Sequence, residues 1–392
     1  MPIVRAFRVG LFTECYQPIQ NGIVASLAAL AASLRAHDRD YVLVTPEMPN
    51  FHDTDPHVVR VPSLPLPTRT SYRLTVPYLP RTLRDVSIVH THSAFVTGWL
   101  GACAARRARV PLVFTYHTQL EAYAHYVPFR SDVTRSAATQ LTRAYANFAD
   151  AVIVPTRAME AHLRALGVRS QIEVVPSGID CTHFARGERR DDVRARFRVG
   201  SNDRMILTVG RLGREKNIEL ALEAFARIDD ERARFVVVGD GTHREVLERA
   251  TARIGITDRV CFAGEYARAD LPDVYASADA FIFTSSSETQ GLVLVEALAA
   301  NVPIVAVDTP QTADVLGSDG RLVAHDPSAL AAALREVLSA TPAHVRGRSS
   351  AGERAIAERF DAEKLGLRVI ALYDALALSW ARQRRIPIAT TG

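Results

Sequence analysis

Short runs of apolar residues alternate with helical patterns along this chain, and no other feature constrains its fold as strongly. In the first half these runs and patterns lie at 7–14, 21–36, 41–46, 86–92, 110–117, 130–149 and 150–156. Short buried runs separated by helices are typical of a parallel sheet that is covered on both faces. The sequence therefore predicts an α/β fold.

A second series of the same kind follows a charged stretch at 183–203. Its runs and patterns lie at 204–212, 217–228, 233–241, 242–254, 259–265, 270–277, 279–286, 291–301 and 302–308. We predict two Rossmann-like, doubly wound domains that face each other across a cleft, 1–182 and 183–360, with 183–203 as a hinge and helical lead-in. Residues 361–392 are expected to form a C-terminal helix that crosses back to the first domain.

The composition argues against several classes of protein. No apolar run approaches the roughly 18 residues that a membrane-spanning helix requires, and the N-terminal stretch lacks the long apolar region of a signal peptide. The four cysteines are far apart and form no Cys-x-x-Cys pair, so neither a disulfide framework nor a zinc site is indicated. We therefore expect a cytoplasmic protein.

No metal site is predicted. His90 and His92 stand two positions apart on a predicted strand, and we take their rings to point to opposite faces, which would prevent them from sharing a metal. The strings 38–40 and 53–55 have the Asp-x-Asp form that holds a divalent ion in some enzymes, but we expect both to be solvated.

The stretch VGDGTHR at 238–244 contains part of a dinucleotide-binding fingerprint. The complete fingerprint requires a third glycine where Arg244 stands, so a hydride-transfer enzyme is disfavoured. Gly239 and Gly241 still permit a tight turn close to a ligand, and a plain strand-to-helix turn explains them equally well.

Arg211 and Lys216 come just after a predicted strand. A planar guanidinium and a compact ammonium at the carboxyl end of a strand suit a diphosphate, whereas the alternative is a solvated basic loop. All but two of the 47 Lys and Arg residues are arginine. A lysine that persists in such a chain indicates a position where arginine does not serve, which favours the functional interpretation.

Two glutamates, Glu288 and Glu296, flank the start of an apolar helix. The backbone N–H groups of Gly291 and Leu292 would open this helix and offer an anion site at its positive end. Glu296 could accept hydrogen bonds from two ribose hydroxyls, and Glu288 would lie where a sugar hydroxyl or a developing cationic centre sits. Complementation of the helix dipole also explains Glu288, but it does not explain a carboxylate within a buried helix.

His117 follows a predicted strand of the first domain. A lone histidine at a strand end is usually structural. Here we expect it to face the phosphate site across the cleft.

Taken in order, these features resemble the retaining glycosyltransferases of family 4, which have the GT-B fold. The resemblance covers nearly the whole chain and rests on PIQNGIVASLAALAASL, YHT, VGRLGREKN, VVVGDG, VCFAGE and the Glu-x7-Glu segment. It implies that the second domain binds a nucleotide-diphosphate sugar, a UDP- or GDP-hexose, and that the first domain binds the acceptor. It also implies retention at the anomeric carbon, with no metal and no other cofactor.

The resemblance assigns roles to individual residues. Arg211 and Lys216 would hold the diphosphate and Glu296 would bind the ribose. His117 would contact the transferred sugar near its 6-hydroxyl, and with Glu288, Arg211 and Lys216 it forms the expected catalytic set. Gly22 at the start of the first helix and Gly239 at the turn after its strand are also expected to bind the donor. Gly264, Glu265 and Tyr266 would lie near the base, and Gln290, Gly291 and Leu292 would hold the sugar and phosphate.

The chain departs from the family pattern at three places. Asn21 and Asn301 replace glycines, and 308–314 replaces a Gly-Gly-x-x-Glu loop near the donor sugar. The last change leaves the identity of the hexose open.

The acceptor is expected to be a membrane lipid. The segment 61–84 mixes Leu, Pro, Tyr and Arg without an acidic residue, and with Arg106, Arg107 and Arg109 it predicts a basic, apolar face that suits anionic headgroups. The stretch at 116–129 is similar to the branch that glycosylates diacylglycerol or phosphatidylinositol. We therefore predict a diacylglycerol or glycolipid acceptor at the cytoplasmic face of the membrane, with peripheral association.

Two alternatives remain open. One is the same chemistry on a soluble sugar or small metabolite, and the other is a protein that binds nucleotide sugars without catalysis. Nucleic acid is not an expected partner, because the sequence shows no clustering of basic and aromatic residues in a nucleic-acid-reading module.

Overall fold

The computed structural model describes residues 7–66, 72–80, 83, 85–122, 131–339 and 350–383. The chain forms two compact units: unit 1 comprises Met1–Gly178 and Ala362–Gly392, and unit 2 comprises Ile179–Asp361. The chain thus passes between units at 178/179 and 361/362, beside the predicted boundaries at 182/183 and 360/361.

Unit 1 is an α/β unit. Its described elements are β1 (Arg8–Phe12), α1 (Gly22–Ala36), β2 (Asp40–Pro46), β3 (Val58–Val61), β4 (Ser63–Pro65), β5 (Arg73–Thr75), β6 (Ile88–Thr91), α2 (Val96–Ala108), β7 (Leu112–Thr115), α3 (Ser131–Phe148), β8 (Ala151–Val154), α4 (Arg157–Ala165) and β9 (Gln171–Val174). Seven strands form a parallel sheet in the order β3-β2-β1-β6-β7-β8-β9. The strands β4 and β5 form a separate antiparallel hairpin.

Two apolar layers cover the sheet of unit 1. The strands β1, β6, β7 and β8 are buried along nearly their whole length, which is why they stand in the sequence as uninterrupted apolar runs. One layer joins the sheet to α2 and α4 through Leu100 and Leu163, and the other joins it to α1 through Leu27.

Unit 2 repeats this architecture. Its described elements are α5 (Cys181–Ala185), α6 (Asp191–Arg196), β10 (Arg204–Val209), α7 (Ile218–Ala226), β11 (Ala233–Val238), α8 (Arg244–Ile254), β12 (Val260–Gly264), α9 (Leu271–Ala276), β13 (Ala280–Phe283), α10 (Leu292–Ala299), β14 (Ile304–Val307), α11 (Pro310–Leu316), β15 (Arg321–Val323), α12 (Pro327–Ser339) and α13 (Ser350–Phe360). Its parallel sheet has the order β12-β11-β10-β13-β14-β15. The prediction of two doubly wound parallel sheets is confirmed.

The charged stretch 183–203 belongs to the body of unit 2. Helix α5 crosses the start of this stretch and helix α6 lies within it. Phe184 and Phe197 are buried in the core. Arg194 has no exposed side-chain surface and donates to the backbone carbonyl oxygen of Ser277 at 2.7 Å. The helical part of the prediction therefore fits, and the chain crosses from unit 1 to unit 2 before this stretch, between Gly178 and Ile179.

The C-terminal helix α14 (Ala362–Gln383) packs against α1 in unit 1. Gly366 permits a close approach, because a Cβ at this position would lie 2.1 Å from Ser33 Oγ. Arg39 and Asp374 pair at 2.8 Å across the same contact. The return of the chain to unit 1 is thus held by both packing and charge.

In each sheet the strand order reverses beside the first strand of the series, between β1 and β6 and between β10 and β13. The loops that follow two such strands diverge and leave a crevice at their carboxyl ends, where ligands of doubly wound sheets bind. In unit 2 these loops carry Arg211, Lys216 and Glu288. The topology therefore collects the predicted donor residues at one place.

Candidate active site

Two loops meet at the switch point of unit 2. Thr284 Oγ1 donates to the carbonyl oxygen of Lys216 at 3.1 Å, and Ser285 Oγ donates to that of Glu215 at 3.1 Å. The loop after β13 therefore holds the backbone of the loop after β10 in place.

An ion pair connects the same loops through side chains. Lys216 Nζ contacts Glu288 Oε1, and each side chain is about one-fifth exposed. The structure thus places in direct contact two residues that the sequence analysis assigned to different parts of the donor. An ammonium carries three N–H groups, so this pair leaves Lys216 with donors for a further anion.

Arg211 belongs to the same loop and pairs with Glu215. The Glu215 side chain is almost fully buried, whereas that of Arg211 is 42% exposed. Sequence analysis overlooked Glu215, although an acid directly beside the retained Lys216 was a usable signal. Because Glu215 is buried, it restrains the position of Arg211 while leaving the guanidinium accessible to a ligand.

The helix α10 begins at this crevice. Gly291 is its N-cap at φ +79°, and among the described residues no side chain caps the helix. A Cβ at Gly291 would lie 3.2 Å from the Phe283 ring, so glycine suits both the backbone angle and the space. Gln290 is buried and Leu292 is partly exposed. The first N–H groups of α10 therefore remain available for an anion.

Glu296 is buried within α10 and holds two partners that the sequence analysis did not foresee. Arg268 Nη1 lies 2.8 Å from Glu296 Oε1, and Tyr275 donates to Oε2 at 2.9 Å. Burial raises the pKa of Glu296, while Arg268 and the Tyr275 hydroxyl act in the opposite direction. Each carboxylate oxygen has more than one acceptor position, so these contacts leave capacity for ribose hydroxyls.

The turns after β11 and β12 border the same crevice. Gly239 has φ +125°, and a Cβ there would lie 2.0 Å from the carbonyl oxygen of Gly210. Its N–H donates to Gly264 O at 2.7 Å. The close packing of these turns explains why residue 239 is a glycine without invoking a ligand. This agrees with the alternative of a plain strand-to-helix turn. Glu265 is exposed, and Tyr266 lies against Phe197 with ring centroids 5.5 Å apart.

The two asparagines that replace family glycines have structural explanations. Asn21 is the N-cap of α1, and its side chain accepts from Val24 N at 2.9 Å; Gly22 is then the exposed first residue of that helix. Asn301 follows α10 with φ +56°, a conformation that asparagine tolerates better than most residues.

His117 in unit 1 belongs to a group of three histidines. His117 Nε2 lies 2.9 Å from His92 Nδ1, and the His92 ring lies 4.1 Å from that of His90, centroid to centroid. The expectation that His90 and His92 point to opposite faces is wrong, because residues i and i+2 of a strand share a face. Burial lowers the pKa of His90 to about 3 and that of His117 to about 4.

Glu14 lies after β1 at the switch point of unit 1, and sequence analysis overlooked it. Its carboxylate accepts hydrogen bonds from Thr97 N and Thr97 Oγ1, both at 2.7 Å, and so caps α2, which has no side-chain cap of its own. Burial raises the pKa of Glu14. An acidic residue directly after the first buried strand was the available signal.

The expectation for the Asp-x-Asp string 53–55 is also wrong. Asp53 pairs with Arg60 at 2.8 Å, and Asp55 accepts from Tyr41 at 2.5 Å, so neither carboxylate is simply solvated. In the part of the chain that the structure describes, no group of three or more His, Cys, Asp or Glu side chains is arranged to hold a metal ion.

The predicted lipid-facing segment includes the β4–β5 hairpin. Residues 67–71, 81, 82 and 84 of this segment, and 123–129 of the stretch after β7, lie outside the described residues. In the hairpin Leu64 is 57% exposed and Leu74 is 45% exposed, and Tyr78, in the irregular segment after β5, is 54% exposed. The hairpin contacts α2, where Phe95 and Trp99 are also exposed. We call these five residues the apolar face.

Basic residues lie at the other end of α2 from Phe95. Arg106, Arg107 and Arg109, at the end of the helix, are all exposed. No helix within the described ranges is both long and apolar enough to span a bilayer.

Comparisons with known proteins agree with this division of the chain. A family described as Glycosyltransferase Family 4 matches residues 20–183, and one described as Glycosyl transferases group 1 matches residues 189–354. The chain is 30% identical over 390 residues to the alpha-monoglucosyldiacylglycerol synthase of Streptococcus pneumoniae, covering 94% of this chain and 86% of that protein. It is also 30% identical over 322 residues to a GDP-mannose-dependent alpha-mannosyltransferase of Mycobacterium tuberculosis, covering 79% of this chain and 81% of that protein.

Solved structures share the fold. Sucrose-phosphate synthase from Thermosynechococcus elongatus superposes with a TM-score of 0.78 at 23% identity, over 95% of this chain and 100% of that one. The Anabaena protein HepE, solved with UDP-glucose, superposes with a TM-score of 0.73 at 20% identity, over 94% and 100%.

Proposed function

This chain belongs to the GT-B glycosyltransferases that combine a Family 4 domain with a group 1 domain, and we propose that it transfers a hexose from a nucleoside diphosphate to a hydroxyl of a membrane lipid. The proposal that the chain binds a nucleotide sugar rests on the arrangement of residues at the switch point of unit 2. There Lys216, Glu288 and the start of α10 are assembled by contacts between the loops after β10 and β13.

In the proposed donor complex the diphosphate lies against this assembly. Lys216 donates to the diphosphate while it remains paired with Glu288, and Arg211 turns its exposed guanidinium to the phosphates. The backbone N–H groups of Gly291 and Leu292 take the remaining charge. Glu296 accepts from the ribose, while Arg268 and Tyr275 hold its carboxylate in position.

The proposed reaction keeps the configuration of the anomeric carbon. The bond from that carbon to the diphosphate oxygen breaks, and the acceptor oxygen forms its bond on the same face. The acceptor proton passes to the departing phosphate oxygen. Arg211, Lys216 and the N-terminus of α10 stabilise the negative charge on the leaving group, which is the electrostatic work a bound metal would otherwise do. We therefore propose a metal-independent reaction.

Glu288 and His117 have supporting roles in this proposal. Glu288 positions Lys216 and stabilises positive charge on the sugar, and we assign it no nucleophilic step. His117 contacts the hexose near its 6-hydroxyl. The turn Gly264-Glu265-Tyr266 lies near the base, and the proposed donor is a UDP- or GDP-hexose.

The proposed acceptor is a lipid such as diacylglycerol or a glycolipid. The apolar face and the exposed arginines at the end of α2 support it, because apolar side chains enter the headgroup region while each basic residue near the surface adds about 1 kcal/mol on an anionic membrane. The names of the relatives also support it, since one is a synthase of monoglucosyldiacylglycerol. We propose peripheral association with the membrane by this face.

The test pairs donor binding with product analysis. The thermal unfolding midpoint is measured with UDP-, GDP- and ADP-hexoses without added metal, and again with a chelator. The sugar that shifts it is then incubated with vesicles that contain diacylglycerol. A glycolipid with retained anomeric configuration is expected. A product with soluble acceptors alone would replace the lipid proposal, and the absence of any shift would contradict the donor site.

A further inference from the structure

Three histidines line the carboxyl ends of β6 and β7 in unit 1. His92 follows β6 and is buried, while His117 follows β7 and is partly exposed. Their rings stack at 5.2 Å between centroids, and the atoms in contact are His92 Nδ1 and His117 Nε2, 2.9 Å apart. Only one of these two nitrogens can carry the shared proton.

The other nitrogen of His92 indicates which one carries it. His92 Nε2 is buried and has no hydrogen-bond partner among the described residues. If His117 donated the bond, the proton of a neutral His92 would lie on Nε2 as a buried N–H without an acceptor. If His92 donates from Nδ1, its Nε2 is only an unused acceptor. Orphaned buried N–H groups are the rarer of the two, so donation from His92 is favoured.

His90 cannot relieve His92 of this constraint. Its two ring nitrogens are already engaged, Nε2 with Thr115 Oγ1 and Nδ1 with the Tyr373 hydroxyl, both at 2.6 Å. Burial also lowers the pKa of all three histidines, which keeps the rings neutral at pH 7 and makes the choice of tautomer meaningful.

We propose that His92 is a positioning residue that donates from Nδ1 to His117 Nε2 and thereby holds the His117 proton on Nδ1. In that tautomer His117 presents an N–H donor to the hexose oxygen that it contacts. This inference rests on the role proposed above for His117. The opposite tautomer would present an acceptor and would require a different hydroxyl orientation in the bound sugar.

Three substitutions at position 92 separate the tautomer effect from packing. In His92→Asn the side-chain amide can still donate from the place of Nδ1. In His92→Asp the carboxylate can only accept, which draws the His117 proton to Nε2. His92→Leu removes the contact. Tyr373→Phe is the matched control, because it removes a buried hydrogen bond from the same group of side chains without touching the pair.

The first readout is the nitrogen NMR spectrum of histidine-labelled protein without ligand, with His117 assigned from His117→Gln. We expect a protonated Nδ1 and an unprotonated Nε2 for His117 in the wild type, in His92→Asn and in Tyr373→Phe. We expect the reverse, or a doubly protonated ring, in His92→Asp. A wild-type His117 with its proton on Nε2 would overturn the proposal.

The second readout is steady-state kinetics with the donor identified by the unfolding shift. We expect kcat to fall more than about tenfold in His92→Asp and His92→Leu, and to stay within about threefold of wild type in His92→Asn and Tyr373→Phe. Equal rates for the Asn and Asp variants would overturn the positioning role even if the tautomers differ. If the wild type turned over no donor, the proposed function would fail, while the spectrum would still decide whether His92 sets the tautomer.

Discussion

Lys216 and Glu288, 72 positions apart in the chain, form an ion pair between the loop after β10 and the loop after β13. Because the two strands are neighbours at the switch point, the pair spans the crevice in which a ligand of unit 2 would lie. It fixes the position of the ammonium, which in the proposed function contacts the diphosphate.

Replacing Lys216 by methionine is expected to lower kcat by about 10²–10³-fold, the usual cost of losing one preorganised donor to developing charge. The kcat of Lys216→Arg should lie between those of the wild type and Lys216→Met, because a guanidinium restores the charge but not the compact geometry of the ammonium. Turnover of the nucleotide sugar measures this. The control is Lys364→Met, which changes the other lysine, an exposed residue of α14. A Lys216→Met enzyme within threefold of wild type would place the diphosphate elsewhere.

Glu296→Gln is expected to weaken donor binding about tenfold while the protein stays folded. One oxygen that would accept from ribose becomes an NH2 donor, and the charge opposite Arg268 is lost. Calorimetric titration with the cognate nucleoside diphosphate measures the change. Glu336→Gln, at an exposed ion pair of α12, is the control and should bind as wild type. Unchanged affinity in Glu296→Gln would remove Glu296 from the ribose site.

Unit 1 is expected to lose stability as the pH falls below about 6.5, the ordinary histidine pKa. The folded pKa values of His90 and His117 lie below it, at about 3 and about 4, and that of His92 is also lowered. A depressed folded pKa means that the unfolded chain binds the proton first. Each histidine therefore stabilises the fold above pH 6.5, and this contribution is lost as the pH falls towards the folded pKa, by about 1.4 kcal/mol per pH unit.

Tryptophan fluorescence measures this effect selectively, because Trp99 and Trp380 both belong to unit 1. Urea unfolding followed by fluorescence should show a midpoint that falls steadily between pH 6.5 and pH 4.5. Replacing His90 and His92 together by leucine should flatten that dependence. Glu14 opposes the trend, since its raised pKa favours the fold at low pH, and Glu14→Gln should steepen it. A midpoint independent of pH would contradict the buried, neutral histidines.

Replacing Leu64 and Leu74 together by serine is expected to lower binding to anionic vesicles roughly tenfold, because two apolar side chains no longer enter the headgroup region. Co-sedimentation at low and moderate salt measures it. The matched control is the pair Leu367→Ser and Leu378→Ser, two leucines of α14 with similar exposure outside the apolar face. Equal losses in both pairs would remove the special role of the β4–β5 hairpin.

Local patterns predicted much of this fold. The strands β1, β7, β10, β11 and β13 stand in the sequence as apolar runs, because parallel strands buried on both faces admit few polar residues. The short edge elements were not predicted. The hairpin strands β4 and β5 have three residues each and are largely exposed. Strands this short show neither an alternation of apolar and polar residues nor an apolar run in the sequence.

The sequence by itself determined the class of fold, the two series of strands and the places where charged residues follow a strand, because these depend on neighbours within a few positions. Only the tertiary structure decided which distant residues meet. Lys216 reaches Glu288, Arg268 and Tyr275 hold Glu296, and His92 contacts His117, because strand order and the packing of loops bring them together. Spacing along the chain carries no record of strand order, so these contacts between distant residues could be seen only after folding.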